Sequence, residues 1–181
     1  KLTAVQRIEV TNSLIGDADV LEKVLYSDID KIKRTLEGID KSAFDEAVRA
    51  IVDAKTVYPM GMRGSSYLAG LLNYSFRRIS DNVRLIQTTS GSETFEQMMS
   101  LCENDALIAI SFPRYSKSII KGVEYAKSRG ADVIALTDSN NSPIAAFADQ
   151  VLVAQSDMAS FADSLVAPMS VINALIVAVS R

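Results

Sequence analysis

The most informative absence in this 181-residue sequence is histidine, which does not occur at all. Without an imidazole the chain cannot build a serine triad, a histidine acid/base pair or a histidine metal site, so carboxylates, lysines and tyrosines remain as proton carriers. Glu93, Glu96 and Asp138 follow predicted strands, but solvated or capping carboxylates are far commoner than catalytic ones. We therefore predict no catalytic residue.

Cysteine is almost as scarce, since Cys102 is the only one in the chain. A single thiol forms neither an intrachain disulfide nor a thiolate metal cage, which fits a reducing cytoplasm and predicts no metal site. Hydrophobic residues make up 48% of the sequence and charged residues 23%, as in ordinary globular domains. The length suffices for one domain with a substantial core.

Positive charge is also limited, because the formal net charge is -3 and basic residues form only short pairs such as Arg77-Arg78. A nucleic-acid-binding surface on this chain is therefore not expected. No leader of basic then apolar residues marks export. Residues 165–179 are strongly apolar, but Pro168 interrupts them and they are shorter than the roughly 20 residues of a membrane span. We expect a cytoplasmic protein without membrane contact.

Two amphipathic helices open the chain. The first is predicted at residues 20–36 with Asp17 as its cap, and the second at residues 41–54 with Asp40 as its cap. The apolar residues expected on one face of each are Leu21, Leu25, Ile29, Ile32 and Leu36, and then Phe44, Val48, Ile51 and Val52.

Five short apolar runs follow and alternate with helices, which predicts a parallel sheet covered on both faces. Pro59 lies in the first run, where it would remove a ladder hydrogen bond, and we assign it to a bulge. The runs are residues 56–60, 83–87, 106–112, 132–137 and 150–154.

The helices between these runs have clear apolar stripes. Gly130 is expected to end the second of them, and Ser142-Pro143 to cap a short helix that reaches Ala148. The last helix, after Ser160, is apolar on almost every side, so we expect residues 171–179 to meet another subunit, with deep burial in one core as the alternative. The two stripes are Leu68, Leu71, Leu72, Phe76 and Ile79, and then Ile119, Ile120, Val123 and Ala126.

The first candidate binding loop comprises Gly61, Arg63, Gly64, Ser65 and Ser66, between the first strand and a helix. Glycines let the backbone approach an anion, the helix start supplies N–H donors, and arginine offers a fork for phosphate oxygens. The alternative is that one serine merely caps the helix.

A nucleotide cofactor is not expected at this loop. The dinucleotide fingerprint requires a third glycine where this chain has Tyr67, and no Walker lysine follows.

The second candidate loop runs from Ser111 to Ser116 and carries Arg114 and Tyr115 before another helix. It repeats the anion-binding pattern, and we expect the two loops to converge on one crevice at the carboxyl ends of the strands. A third loop contains Ser90-x-x-Glu93, which is better explained as a capping box.

Together these motifs resemble the sugar isomerase (SIS) domain of RpiR-family bacterial transcription regulators. The matching residues, in order, are Gly61-x-x-Gly64-Ser65-Ser66, Ile110-Ser111-Phe112-Pro113-Arg114-Tyr115-Ser116, Ala126-Lys127-x-x-Gly130-Ala131, Ile134-Ala135-Leu136-Thr137-Asp138, Ser142-Pro143 and Ala148-Asp149-x-Val151-Leu152.

The resemblance implies a three-layer α/β/α fold with a five-stranded parallel sheet of flavodoxin-like order. It implies a linker and lead-in helix over residues 1–38, a phosphosugar-binding SIS domain over residues 39–181, and dimers or higher assemblies. The chain begins at Lys1 rather than Met, and we expect a DNA-binding helix-turn-helix part outside it, through which alone DNA would be bound.

The implied ligand is a small phosphorylated sugar or amino sugar, held by Gly61, Arg63, Gly64, Ser65, Ser66, Ser111, Arg114, Tyr115 and Ser116. Enzymes of this fold usually carry Ser-x-Ser-Gly-x-Thr in the second loop, whereas this chain has Pro113 and Arg114 in place of the middle Ser-Gly. Arg114 is expected to take over part of the phosphate charge.

The altered second loop and the lack of histidine favour a sensor that is not an enzyme. The alternatives are a sugar-phosphate isomerase or related enzyme of this fold, and an interaction domain with a vestigial pocket.

Overall fold

Short apolar strands alternate with amphipathic helices along most of the chain. The computed structural model describes residues 3, 5, 6, 8–10, 19–87, 91–156 and 164–181. In chain order the elements are α1 (Val20–Gly38), α2 (Lys41–Asp53), β1 (Thr56–Gly61), α3 (Gly64–Phe76), α4 (Gly91–Met98), β2 (Asp105–Ile110), α5 (Lys117–Ser128), β3 (Asp132–Thr137), a 3₁₀ turn (Ala145–Phe147), β4 (Gln150–Val153) and α6 (Val166–Val179).

The strands form one parallel sheet in the order β1-β2-β3-β4. All of β2 is buried, and β3 is buried after its first residue. These two are the central strands that the sequence predicts, since a strand with helices on both faces has no polar side.

Helices cover both faces of the sheet and give the expected three-layer α/β/α arrangement. On one face, α2, α3 and α6 bury an apolar cluster around Leu72, Ile108 and Ile172. On the other, α4 and α5 bury a second cluster around Met98, Leu107 and Val123. The predicted fold class is therefore confirmed.

The predicted number of strands is wrong by one. Residues 83–87 lie parallel to β1 at the edge of the sheet, in the place expected for a fifth strand of flavodoxin-like order. They form only two bridges there, from Val57 to Val83 and from Met60 to Ile86.

Pro59 explains why this edge ladder is incomplete. On this side of β1, Val57 N–H donates to Asn82 O and Ile86 N–H donates to Pro59 O, each at 2.9 Å. Pro59 itself has no N–H to donate between those bonds. The assignment of Pro59 to a bulge is wrong, because it continues the regular register opposite Ile108.

Side chains at the helix ends partly follow the prediction. The carboxylate of Asp40 caps α2 as expected, and Gly130 follows α5 with φ of +79°. The cap of α1 is Asp19 rather than Asp17, which lies outside the described residues.

Three other local predictions are wrong. Val52 is exposed because it lies on the outer side of α2, and half-exposed Ile79 lies beyond the end of α3. The helix expected after Ser142 is a single 3₁₀ turn. Ser142 supplies its carbonyl to Ala145 N–H, while its buried hydroxyl has no hydrogen-bond partner and caps nothing.

The apolar α6 is covered largely by its own chain. Val171, Ile172 and Leu175 are buried in the first cluster, and α1, α2 and α3 all pack against the helix. Deep burial in one core, the alternative considered for this helix, thus accounts for most of its apolar surface. Exposed Val177 leaves contact with another subunit a prediction. None of the helices in the described part of the chain is both long and apolar enough to cross a membrane.

Candidate functional site

The two predicted binding loops lie side by side at the carboxyl edge of the sheet. The last residue pair of β1 and β2 is Gly61 with Ile110, so the loops that follow these strands leave from adjacent points. The chain leaves β1 toward one edge of the sheet and leaves β2 toward the other, which makes this the topological switch point where such sheets bind ligands. The predicted convergence is confirmed.

Between the loops lies a cleft that we divide into two compartments. The inner compartment has a volume of about 310 Å³, and its lining includes Arg63, Ser65, Ser111, Arg114 and Ser116. The outer compartment has a volume of about 860 Å³ and is lined by Gly61, Met62, Arg63, Gly64, Ser66, Tyr67, Gln87, Glu93, Ser116 and Ser118. Both volumes fall in the range of small-molecule sites.

Gly61 allows the first loop to fold tightly over the end of β1. A Cβ atom at this position would lie 2.3 Å from the carbonyl oxygen of Ser65, which is backbone and cannot move aside easily. Glycine is therefore required for α3 to start so close to the strand.

Arg63 occupies the cap position of α3 with φ of +56° and makes no side-chain cap bond. Ser65 N–H donates to Met62 O, and Ser66 N–H donates to Arg63 O. The Ser66 hydroxyl also donates to Arg63 O, at 2.6 Å. Neither serine is the helix cap, so the alternative that one of them merely caps α3 is wrong.

The second loop carries the other arginine in an equally unusual backbone conformation. Arg114 has φ of +71°, and non-glycine residues held at positive φ concentrate at functional sites. Ser111 N–H donates to Leu136 O at 3.1 Å, which ties the loop to β3. Ser116 takes the cap position of α5 without a side-chain cap bond, and it lines both compartments.

Tyr115 supports this loop from outside the cleft. Its hydroxyl donates to Asp138 Oδ1 at 2.7 Å, and Thr137 Oγ1 donates to the same oxygen at 3.2 Å. Burial, then the hydrogen bond to Asp138 and the charge of that carboxylate, raise the pKa of Tyr115 to about 12. The phenol therefore stays protonated and joins the loop after β2 to the loop after β3.

The structure brings eight of the nine predicted ligand residues to the cleft: Gly61, Arg63, Gly64, Ser65, Ser66, Ser111, Arg114 and Ser116. Tyr115 is absent from both linings, and its hydroxyl is committed to Asp138. That these residues hold a ligand stays a prediction.

Sequence reasoning missed several lining residues. Tyr67 lies three positions after Gly64 on the same helix face, and helical spacing could have identified it. Gln87 ends the apolar run beside β1, where its strand-end position was the available signal. Leu165 and Ser118 had no local signal.

The three carboxylates that follow predicted strands lie at different places in the structure. Glu93 lines the outer compartment, Glu96 lines neither compartment, and Asp138 accepts from Tyr115. Ser90 of the predicted capping box lies outside the described residues.

The chemistry of the inner compartment suits an anion. Its described lining includes two arginines and three serines, and no aspartate or glutamate is among the described residues that line it. Charge-assisted hydrogen bonds from arginine are the strong, directional contacts that a phosphate monoester requires. Within residues 19–87, 91–156 and 164–181, no group of three or more acidic or cysteine side chains is placed to hold a metal ion.

Comparison with known proteins agrees with this geometry. A family model described as the SIS domain matches residues 50–178. An uncharacterized HTH-type transcriptional regulator from Clostridium perfringens is 30% identical over 135 residues, which are 74% of this chain and 47% of that protein. The chain spans about half the length of the curated regulators that it matches.

Two solved structures show the same fold. The sugar isomerase domain of an RpiR transcription factor from Sphaerobacter thermophilus is 28% identical, with a TM-score of 0.84 and 89% of both chains covered. The Vibrio vulnificus NanR protein complexed with ManNAc-6P is 22% identical, with a TM-score of 0.78, covering 94% of this chain and 65% of that one.

Proposed function

Because this chain belongs to the SIS domain family, we propose that it binds a small phosphorylated sugar or amino sugar in the cleft between its two arginine loops. It serves in this proposal as the effector domain of an RpiR-family transcription regulator, over residues 39–181 and with its lead-in helix before them. The DNA-binding part belongs to the longer protein.

The observation that carries the proposal is that Arg63 and Arg114, from two different loops, both line the inner compartment. Two adjacent loops each hold an arginine at positive φ, a conformation that costs on the order of 1 to 2 kcal/mol per residue. Placing two arginines against one cavity favours a dianionic ligand group over a neutral one.

The outer compartment suits the sugar. Gln87, Glu93 and Ser118 offer an amide, a carboxylate and a hydroxyl, which pair with sugar hydroxyls. Tyr67 is 78% exposed and lines both compartments, so its ring offers an apolar surface for the carbon face of the sugar. Glu93 would also pair with the ammonium of an amino sugar.

The names of the relatives support the proposed role in a transcription regulator. The curated proteins that match are named HTH-type transcriptional regulators, and the Vibrio vulnificus NanR protein is complexed with ManNAc-6P, a phosphorylated amino sugar. A ligand that favours one arrangement of the domain would shift the geometry of attached DNA-binding parts.

A calorimetric titration of the domain tests the proposal. Phosphorylated sugars and amino sugars should bind, while the same sugars without phosphate should bind at least roughly tenfold more weakly, since each charge-assisted hydrogen bond contributes about 1.5–3 kcal/mol. Equal affinities for a sugar with and without its phosphate would refute the assignment of the phosphate group to the inner compartment.

A second candidate, a sugar-phosphate isomerase, is favoured by one observation, the carboxylate of Glu93 at the sugar end of the cleft. Such an enzyme would use a base to move a proton between neighbouring sugar carbons. Incubation with the bound phosphosugar in heavy water distinguishes the two, because a sensor leaves the carbon-bound hydrogens unexchanged and an isomerase exchanges them.

A further inference from the structure

Two consecutive residues at the start of α6 contact the cleft and the lead-in helix α1. Leu165 lines the inner compartment, and its side chain lies over the start of α3, since a Cβ atom on Gly64 would be 3.8 Å from Leu165 Cδ1. The preceding residue, Ser164, donates its hydroxyl hydrogen to Asp28 Oδ1 of α1 at 2.8 Å. One short piece of backbone therefore joins a wall of the cleft to α1.

The same two residues are tied to the first turn of α6. Val166 N–H donates to Ser164 Oγ at 3.5 Å, so this hydroxyl bonds to α1 and to α6 at once. Leu165 O accepts from Met169 N–H at 2.9 Å, which makes it an acceptor of the first turn. A displacement of Ser164 therefore moves Leu165 with it.

Helix α1 docks on the rest of the domain through polar side chains. Asp28, Lys31 and Thr35 are spaced by three and four residues and thus share one face of the helix. Thr35 Oγ1 accepts a hydrogen bond from Gln155 N–H, just beyond β4, at 2.9 Å. Lys31 is 3% exposed, and its Nζ lies 3.7 Å from Asp28 Oδ1. Directional polar contacts therefore fix the position of α1.

Buried apolar contacts add little to this docking. Within residues 20–38, all of which the structure describes, the buried side chains are Lys31 and Thr35 and none is apolar. Leu21, Leu25 and Ile29 are 68%, 53% and 58% exposed. An element with few buried apolar contacts opens at a much lower free energy than the whole domain unfolds. We therefore expect α1 to undock and redock while the sheet stays folded.

We propose that docking of α1 and occupation of the cleft by a phosphorylated ligand stabilise each other, with the hydrogen bond between Ser164 and Asp28 as the link. The bond holds Ser164, and with it Leu165, where Leu165 completes the inner compartment. Without the bond this wall gains conformations that a ligand must then restrict, which lowers the affinity. Conversely, a ligand that fixes Leu165 favours docked α1 by the same factor, because linkage is reciprocal.

Ser164 and Asp28 are in this proposal positioning residues of the cleft, although neither lines it. The inference rests on the phosphate site proposed above and names the contact through which occupation of that site reaches α1. It predicts effects on ligand affinity at a helix outside the cleft, which a purely structural hydrogen bond would not produce.

Hydrogen exchange on the full chain, followed in peptides from residues 20–38, tests the effect of the ligand on α1. Inorganic phosphate is the probe, because it tests the phosphate position whichever sugar is bound, and sodium chloride at the same ionic strength is its control. Saturating phosphate should slow exchange in α1 by roughly threefold to tenfold. The slowing should be absent in Asp28→Ala and in Ser164→Ala.

Calorimetry with phosphate tests the reverse effect on the cleft. Asp28→Ala and Ser164→Ala should each weaken phosphate binding by roughly threefold to tenfold, the same factor as the slowing of exchange. The double variant should bind no more weakly than either single variant, because both substitutions remove one bond. Ser164→Thr keeps the hydroxyl and should retain the affinity of the parent chain.

The chain offers a matched control for each substitution. Asp30 lies on the same helix as Asp28, but its side chain is 63% exposed and pairs with Arg34 within α1. Ser170 lies in α6, and its hydroxyl donates to Val166 O within that helix. Asp30→Ala and Ser170→Ala should leave both phosphate affinity and the slowing of exchange in α1 unchanged.

Three outcomes would overturn the coupling. If phosphate binds the parent chain without slowing exchange in α1, the ligand site stands and the coupling fails. If Asp28→Ala and Ser164→Ala melt at a lower temperature but bind phosphate as the parent chain does, the hydrogen bond is only structural. If the parent chain does not bind phosphate, the proposed site and the coupling fail together.

Discussion

The two loops that frame the cleft present an arginine in the same way but are stabilised by different means. The first loop is closed on itself, because Ser65 and Ser66 N–H groups donate to Met62 O and Arg63 O within the turn. Its shape depends on the missing side chain at Gly61.

The second loop depends on its neighbour in the sheet. Ser111 N–H donates to Leu136 O of β3, and the Tyr115 hydroxyl donates to Asp138 just beyond that strand. The first loop is thus maintained by steric fit and the second by hydrogen bonds to another part of the chain. The two should respond differently to substitution.

Gly61→Ala should have the largest effect on stability, because the first loop has no room for a side chain at this position. The new Cβ would lie 2.3 Å from Ser65 O, so the start of α3 must shift. We expect a loss of about 3 kcal/mol in the free energy of unfolding, measured by urea denaturation, together with weaker phosphosugar binding.

Gly70→Ala is the control for this substitution. Gly70 lies in the same helix, and an alanine Cβ there would have no neighbouring atom within 4 Å outside the helix's own backbone. Alanine at this position should stabilise the helix by roughly 0.5–1 kcal/mol. Equal stability changes in the two variants would show that the close approach at Gly61 does not exist in solution.

Two substitutions at Arg63 should distinguish the effect of its charge on ligand affinity from the effect of its backbone conformation on stability. Arg63→Ala and Arg63→Gly both remove the guanidinium and should weaken phosphosugar binding by roughly tenfold to a hundred-fold. Only glycine accepts φ of +56° without strain, so the glycine variant should be more stable than the alanine variant by about 1 kcal/mol. Calorimetry and thermal unfolding on the same samples measure both effects.

Equal affinities for the glycine variant and the parent chain would contradict the role of Arg63 in the cleft. Equal stabilities for the two variants would contradict the strain assigned to its backbone.

The first loop could be predicted from the sequence because its determinants are local. An apolar run, then Gly61, Gly64 and two serines, then a helical stripe, specify a strand, a tight turn and a helix start without information from elsewhere. The carboxyl-edge position of both loops followed in the same way, since parallel strands place their ends together.

The remaining features depend on contacts that local patterns do not contain. Tyr115 was expected to contact the ligand, but its partner Asp138 lies 23 residues away on a different loop. A complete fifth strand was predicted because the sequence does not show which side of β1 the Pro59 nitrogen faces. In the structure it faces residues 83–87, where it donates no hydrogen bond. The periodicity of α1 showed an apolar face, but the helix docks through polar Thr35, which accepts a hydrogen bond from Gln155, 120 residues away.

Tyr115→Phe should affect the second loop moderately. It removes the hydrogen bond to Asp138 while keeping the ring, so we expect a loss of about 1 kcal/mol in stability and a several-fold weaker affinity for the phosphosugar. Tyr67→Phe is a useful comparison, because it changes a tyrosine in the cleft that does not support the second loop. If Tyr115→Phe left affinity unchanged, the bond to Asp138 would have no part in positioning Arg114.

The smallest expected effect is the change in stability that accompanies deprotonation of the Tyr115 hydroxyl. Burial and Asp138 raise the pKa of Tyr115 from 10.0 to about 12, so the folded chain holds this proton more tightly than the unfolded chain. The stabilisation is fully present below about pH 10 and is lost as the pH rises toward 12. The difference in tyrosinate absorbance between the parent chain and Tyr115→Phe should therefore show a midpoint near 12. A midpoint near 10 would mean that the two loops are not joined through this bond in solution.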